Sequence, residues 1–219
     1  MKIDLHVHSW YSKDNPSRPK NIVKKVVAKK LDAVSITDHD TTKAWPKFKE
    51  LGKKYNIPIV YGQEVSLFEN SKKCTGHMLA LFINEQVKST MPLDAIDEIK
   101  KQGGIAIMAH PFDRHPYPYP KAVGKFVHGI EVMNSRSYSD EANEKALKLA
   151  TKLNKTKTAG SDAHLTFEIG RAFTYAKFDT LEEFRKSLLN GKTIPIGKRS
   201  SAWVHLIGRI ASTIVPKHD

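Results

Sequence analysis

Histidines and acidic residues recur at the carboxyl ends of short apolar runs in this sequence. His6 and His8 end the run at residues 2–7, and residues two apart in a strand point to the same face, so both imidazoles can reach one ion. The pattern recurs along the chain at Asp38, His39, Glu64, His110, Glu131, Asp162 and His164. Imidazoles and carboxylates in this mixture suit Zn, Mn or Fe, and cations would be needed to organise so many titratable groups at one place. The spacing therefore predicts a metal site.

The apolar runs alternate with segments of helical period. Strands are predicted at residues 2–7, 33–37, 58–64, 78–83, 105–109, 129–133 and 157–160, and helices at 21–30, 43–55, 93–102, 140–153 and 180–189. Thr180 followed by Glu183 has the form of a capping box. Strands separated by helices imply parallel pairing, and seven of them can close a small, irregular β/α barrel whose active site lies at the carboxyl ends. An open doubly wound sheet is the alternative architecture.

No linker divides the chain, so one domain over residues 1–219 is expected. The segment 111–120 carries four prolines, at positions 111, 116, 118 and 120, and is predicted to be a loop. The tail at 201–215 is mostly apolar and is predicted to form a helix that docks on the barrel. A partner or membrane surface is the alternative use of that helix.

The composition is basic. Lys and Arg number 36 against 23 Asp and Glu, and the net charge of +13 favours anionic partners such as phosphorylated metabolites or nucleic acid, although a lysine-rich surface also serves solubility. The single cysteine, Cys74, excludes an internal disulfide. There is no signal-peptide pattern and no run near the ~20 apolar residues of a membrane span, so a cytoplasmic protein is expected. The oligomeric state is left open.

The ordered motifs resemble one family. DLHVHS with Asp14 downstream, ITDHD, GQE, GHM, AHP and SDAH together are similar to the PHP family, named after polymerase and histidinol phosphatase, over residues from about 4 to 174. The resemblance implies a distorted seven-stranded β/α barrel of the TIM-like kind. In catalytic members it also implies a centre of three divalent metal ions that hydrolyses phosphate esters.

The resemblance also assigns roles to nine residues. His6, His8 and Asp162 would bind the first ion, Glu64 would bridge the first and second, His77 and His110 would complete the second, and Asp14, His39 and His164 would hold the third. The ions would be Zn, Mn or Fe, with Mg possible. Two ions that share a carboxylate can activate a water as hydroxide, so the ligands, above all His6, His8, Glu64, Asp162 and His164, would themselves be the catalytic groups.

Four further residues have weaker assignments. Asp38 could orient an imidazole or bond the loop backbone, and Glu131 could steady a ligand or a bound water. Arg136 and Arg114 follow strand ends and could clamp a phosphate, although an arginine is more often a solvated surface residue.

Four functions fit the sequence. The first is a phosphoesterase acting on phosphomonoesters or nucleotides, and the second is a nuclease that trims short oligonucleotides with the same ions. The third is an amidohydrolase-like hydrolase, which would leave Asp14, His39 and His164 without a shared purpose. The fourth is a non-catalytic metal-binding scaffold, which is disfavoured because all nine ligand positions carry competent residues.

Overall fold

The computed structural model describes residues 1–12, 14–68, 73–113, 120–201 and 203–214. Its strands are β1 (Lys2–Asp4), β2 (Ala33–Ile36), β3 (Ile59–Leu67), β4 (Gly76–Leu81), β5 (Ile105–Ala109), β6 (Gly129–Asn134), β7 (Thr156–Gly160), β8 (Ala172–Tyr175) and β9 (Ile194–Gly197). Its helices are α1 (Pro19–Ala28), α2 (Trp45–Tyr55), α3 (Pro92–Lys101), α4 (Pro120–Gly124), α5 (Asp140–Lys152), α6 (Leu181–Leu189) and α7 (Trp203–Ile214), with a short 3₁₀ turn at Thr166–Glu168. The five helices and the tail helix predicted from the sequence are all present.

The strands form one sheet that curls into a nearly closed barrel. Their order is β7-β6-β5-β4-β3-β2-β1-β8-β9. The barrel closes where β7, at one end of this order, meets β8, which is next to the other end. The Thr174 hydroxyl of β8 accepts from the Ala159 N–H of β7 and donates to the Ala159 carbonyl, each at 2.9 Å. The predicted barrel architecture is therefore confirmed.

The strand count and direction differ from the prediction in two ways. The sheet has nine strands within the described part of the chain instead of seven, because β8 and β9 follow the last predicted strand and are only four residues each. In addition, β4 runs antiparallel to both β3 and β5, and β8 runs antiparallel to β1 and β9. The described part of the connection between β3 and β4 contains no helix, and the prediction of wholly parallel pairing was wrong.

Helices pack against the sheet with apolar faces of helical period. Ile22, Val23 and Val26 of α1 pack with Phe48 of α2 over β2 and over Val7, which follows β1. Phe184 of α6 packs in a second cluster with apolar residues of β1, β3, β4 and β5. These contacts hold the strands whose carboxyl ends carry the acidic and histidine residues.

The helix termini follow sequence signals. The Thr180 hydroxyl accepts a hydrogen bond from the Glu183 N–H at 3.2 Å, which confirms the predicted N-cap of α6. The Glu183 carboxylate accepts from the same hydroxyl at 2.8 Å.

Among the described residues no helix is long and apolar enough to cross a membrane.

Candidate metal centre

One end of the barrel collects the nine predicted ligands. The loop after β1 carries His6, His8 and Asp14, and β2, β5 and β7 are each followed by a member of the set. Glu64 lies on β3 and His77 begins β4, which enters from the same edge because it is antiparallel. A cavity of about 130 Å³ at this end is lined by Asp14, His39, Glu64, His77, His110, Asp162 and His164.

Glu64 is the centre of the cluster. Its Oε2 lies 3.2 Å from His6 Nε2, 3.0 Å from His8 Nε2 and 3.3 Å from His39 Nδ1. Its Oε1 lies 3.2 Å from His77 Nδ1 and 3.0 Å from His110 Nε2. One carboxylate that is 1% exposed therefore contacts five imidazoles, which is the environment expected for a carboxylate shared between ions.

The remaining carboxylates close the cluster on two sides. Asp162 Oδ1 lies 3.3 Å from His8 Nε2 and 3.7 Å from His6 Nε2. Asp14 Oδ2 lies 3.0 Å from His164 Nε2 and 3.8 Å from His39 Nε2. The structure thus brings His6, His8 and Asp162 together, and likewise Asp14, His39 and His164, as the grouping by ion requires.

The donor set fits divalent cations. Sets of three ligand atoms lie within 4.8 Å of one another in His6–His8–Glu64, in His39–Glu64–His77, in His8–His39–His164 and in His6–His110–Glu131. Within the described residues, His110 Nδ1 and Asp14 Oδ1 are buried without a hydrogen-bond partner. Buried polar atoms are costly when unsatisfied, and cations bound among them would relieve that cost.

The pKa values of the histidines also indicate that the cluster attracts positive charge. Burial alone would lower the pKa of His8, but hydrogen bonds to Asp162 and Glu64 outweigh it and raise the pKa to about 9. Burial and then the charge of Glu64 act in the same opposing way on His77, whose pKa rises to about 10. In His39 burial prevails and lowers the pKa to about 3. Without metal the carboxylates draw protons onto neighbouring imidazoles, and divalent ions can take the place of those protons.

Glu131 steadies two members of the cluster from within β6. Its Oε1 lies 3.0 Å from His6 Nδ1, and its Oε2 accepts from the His110 backbone N–H at 3.1 Å. His110 has a φ of +26° and Asp162 a φ of +52°, which is a left-handed backbone that costs about 1–3 kcal/mol per residue. The hydrogen bond from His110 to Glu131 helps to hold one of these two conformations.

Asp38 reaches the cluster through the loop after β1. Its carboxylate accepts from the Ser9 N–H at 2.6 Å, from the Ser9 hydroxyl at 2.7 Å and from the Ser12 hydroxyl at 2.9 Å. Ser12 Oγ lies 3.2 Å from His8 Nδ1. Of the two predicted roles, the bond to loop backbone is the direct one, and contact with an imidazole is made through Ser12.

The two arginines predicted to clamp phosphate are not in the cavity wall that the structure describes. Arg136 is buried, and its Nη1 donates to both carboxylate oxygens of Glu168, at 2.8 and 3.0 Å. The guanidinium thus already has a carboxylate partner. Phosphate binding by Arg136 stays a prediction. Arg114 lies outside the described residues.

Two buried acids were given no role from the sequence. Asp4, on β1, accepts from the Ser161 and Gly170 backbone N–H groups at 2.9 Å each, and burial raises its pKa to about 6. Glu168 accepts from the His164 and Leu165 N–H groups, at 3.2 and 2.8 Å. An acid within an apolar run marks Asp4 in the sequence, whereas Glu168 is marked only by following the SDAH motif.

Comparisons with known proteins found one matching family model and several similar proteins. A family model described as PHP-associated matches residues 140–193. Two uncharacterized proteins of Methanocaldococcus jannaschii are similar: one is 34% identical over 67% of this chain and 90% of its own length, and the other is 35% identical over 83% and 72%.

A solved structure is similar over most of this chain. A two-domain protein of Bacteroides vulgatus with a predicted PHP-like metal-dependent phosphoesterase superposes with a TM-score of 0.76 and 25% identity. The match covers 90% of this chain and 65% of that protein, so the chain spans a little less than two thirds of it. The chain belongs to the PHP family.

Proposed function

We propose that this protein is a phosphoesterase that hydrolyses phosphomonoesters or nucleotides with three divalent ions bound among the nine residues. The contact of the single Glu64 carboxylate with five imidazoles, all within 3.3 Å, carries the proposal. His6, His8 and Asp162 would hold the first ion, His77 and His110 the second, and Asp14, His39 and His164 the third. Glu64 would be shared by the first two.

The character of the cavity favours a phosphate group over an amide or an apolar group. All seven residues that line it are histidines or acids, and its volume is about 130 Å³. Bound divalent ions supply the charge that binds phosphate oxygens and acidifies a water. The imidazoles and carboxylates fix those ions in a buried place, since His6 and His8 are 0% exposed. The phosphoryl group would enter this small polar space while the rest of the ester stays outside it.

A nuclease is the second candidate, and the net charge of +13 is the observation that favours it. The proposal of a small phosphate ester is preferred because the described cavity is small and its wall carries no Phe, Tyr or Trp side chain on which a base could stack.

The test is a hydrolysis screen. The full chain, stripped of metal and then supplied separately with Mn, Zn, Fe or Mg, is assayed on an aryl phosphate, on phosphorylated metabolites including mononucleotides, and on short oligonucleotides. We expect metal-dependent phosphate release, with mononucleotides or metabolites outpacing oligonucleotides. Absence of product with every metal would overturn the proposed function.

Two variants make the screen specific. His8→Ala removes a predicted ligand and should abolish turnover while circular dichroism shows a folded protein. His128→Asn removes a histidine outside the cluster and should leave turnover unchanged. Equal activity of His8→Ala and the parent would show that a contaminating phosphatase produced the signal.

A further inference from the structure

A buried ion pair lies behind the loop that carries His164, one of the predicted ligands of the third ion. Arg136 is 4% exposed and Glu168 is 0% exposed, and the guanidinium Nη1 bonds both oxygens of the carboxylate. Both side chains come from segments that follow strands at the active end, β6 and β7. The pair joins two loops of the barrel mouth.

Glu168 also accepts hydrogen bonds from the backbone at a predicted ligand. Its Oε2 accepts from the backbone N–H groups of His164 and Leu165. The same loop includes Asp162, whose left-handed φ of +52° needs support from its surroundings. Glu168 therefore holds the backbone of His164 in place. The imidazole of His164 lies 3.0 Å from Asp14.

The last helix, α7, lies against the other side of Arg136. A Cβ built on Gly208 would come 3.1 Å from Arg136 Nη2 and 3.5 Å from Nη1. The helix therefore contacts the guanidinium at a glycine, which has no side chain. The segment that leads into α7 is tied down as well, since the Ser200 N–H donates to the Ser135 carbonyl at 2.6 Å. The His205 ring stacks on Tyr138 with 4.4 Å between centroids.

The pair is not explained by stability alone. Desolvating two charges costs free energy that their attraction barely recovers, and replacing a buried pair with apolar residues is often neutral or stabilising. A buried pair can instead select one conformation among several. Here the conformation selected is that of the loop from Asp162 to Leu165.

We propose that Arg136 and Glu168 are positioning residues that set the place of His164, and that the docking of α7 through Gly208 completes this support. Occupancy of the third ion then depends on the C-terminal helix. The inference rests on the proposed function in one respect, namely that Asp14, His39 and His164 bind an ion.

The first experiment replaces the carboxylate by an amide. Glu168→Gln in the full chain is titrated with Mn, and bound metal is counted by elemental analysis at several free metal concentrations. We expect the parent to bind three ions, and the variant to bind the weakest about 10–100-fold less tightly with the other two unchanged. Glu141→Gln, an exposed carboxylate on α5 that pairs with Lys145, is the matched control and should match the parent.

The second experiment separates positioning from folding. Arg136→Met should lose the third ion, whereas Arg136→Lys keeps a positive donor and should retain part of its affinity. Gly208→Val should weaken the third ion because the added carbons collide with the guanidinium. Leu206→Ala, on the exposed face of the same helix, should not.

The results of these experiments distinguish failure of this inference from failure of the proposed function. Three ions with unchanged affinity in Glu168→Gln, Arg136→Met and Gly208→Val would overturn this inference and leave the proposed function standing. Equal loss of all ions in each variant, with a lowered melting temperature of the metal-free form, would also overturn it, since the pair would then be merely structural. Fewer than three ions in the parent would overturn both.

Discussion

At the scale of single residues, Glu64 has the strongest predicted effect. Glu64→Gln keeps the shape of the side chain and removes the charge that faces five imidazoles. We expect at least one bound ion to be lost and kcat to fall by at least ~100-fold, the upper range for loss of an outer-shell partner. Metal counting and steady-state kinetics measure both.

The control for this substitution is Glu50→Gln, on α2, where the carboxylate is exposed and pairs with Lys47. It should leave metal content and kcat unchanged. Full metal content in Glu64→Gln would contradict the role of Glu64 as a shared ligand.

Sequence reasoning placed the residues of the cluster and named Asp38 and Glu131 as supports, but it did not find the other supporting residues. His6, His8 and Glu64 could be predicted because strand ends on one side of a barrel converge, so local period and position are enough. The pairing of Arg136 with Glu168 joins residues 32 positions apart, and only the curvature of the barrel decides that they meet. The same holds for Asp4, whose partners include Ser161 and Gly170.

At the scale of elements, the end of β7 must pass close to the loop after β1. A Cβ built on Gly160 would collide with His6 Cβ and would lie 2.8 Å from Glu131 Oε1. Gly160→Ala should therefore displace the His6 ring and lower the free energy of unfolding by about 1–3 kcal/mol, as overpacking does. Urea denaturation and metal titration measure the two effects.

Lys157→Ala, on the same strand and half-buried, is the comparison for Gly160→Ala. It should change metal affinity little. If Gly160→Ala bound metal as tightly as the parent, the close approach of β7 to His6 would not matter for the site.

A second element-scale prediction concerns the start of β6. His128 Nδ1 accepts a hydrogen bond from the Ala106 N–H at 3.0 Å, which requires the unprotonated nitrogen. Burial, and then the charge of Lys100, lower its pKa below 6.5. The folded state thus binds this proton more weakly than the unfolded chain, so the contribution of His128 is complete above pH 6.5 and is lost progressively as the pH falls below it.

His128→Asn isolates that contribution. The difference in free energy of unfolding between the parent and His128→Asn, measured in urea with saturating metal, should shrink as the pH falls from 7 to 5. A difference that stays constant over this range would contradict the assignment.

The sequence did not predict β8 and β9 because both strands are short. The segments of β8 and β9, AFTY and IPIG, are four residues long, and β9 contains a proline, so neither has the length or alternation that marks a strand in sequence. They become strands because β1 offers an edge for pairing and β8 then offers its own. Tertiary pairing, not local preference, decides them.

At the scale of the whole molecule, net charge and site geometry act on different steps. The charge of +13 attracts any anion during encounter and is screened by salt over about 10 Å at 0.1 M. The buried cluster acts only after the phosphate has entered. Ionic strength should therefore change kcat/KM through encounter and leave kcat nearly constant.

The slope of this salt dependence distinguishes the two candidate substrates. A small phosphate ester meets the protein through one phosphate, so log(kcat/KM) should fall shallowly with log salt concentration. A single-stranded oligonucleotide would give a slope of about −0.7 for each phosphate neutralised. We expect the shallow dependence for the best substrate of the screen, measured between low and physiological salt with metal held saturating. A steep slope, together with turnover on oligonucleotides that exceeds turnover on mononucleotides, would replace the small-ester proposal with the nuclease, because several phosphates would then be bound along the basic surface.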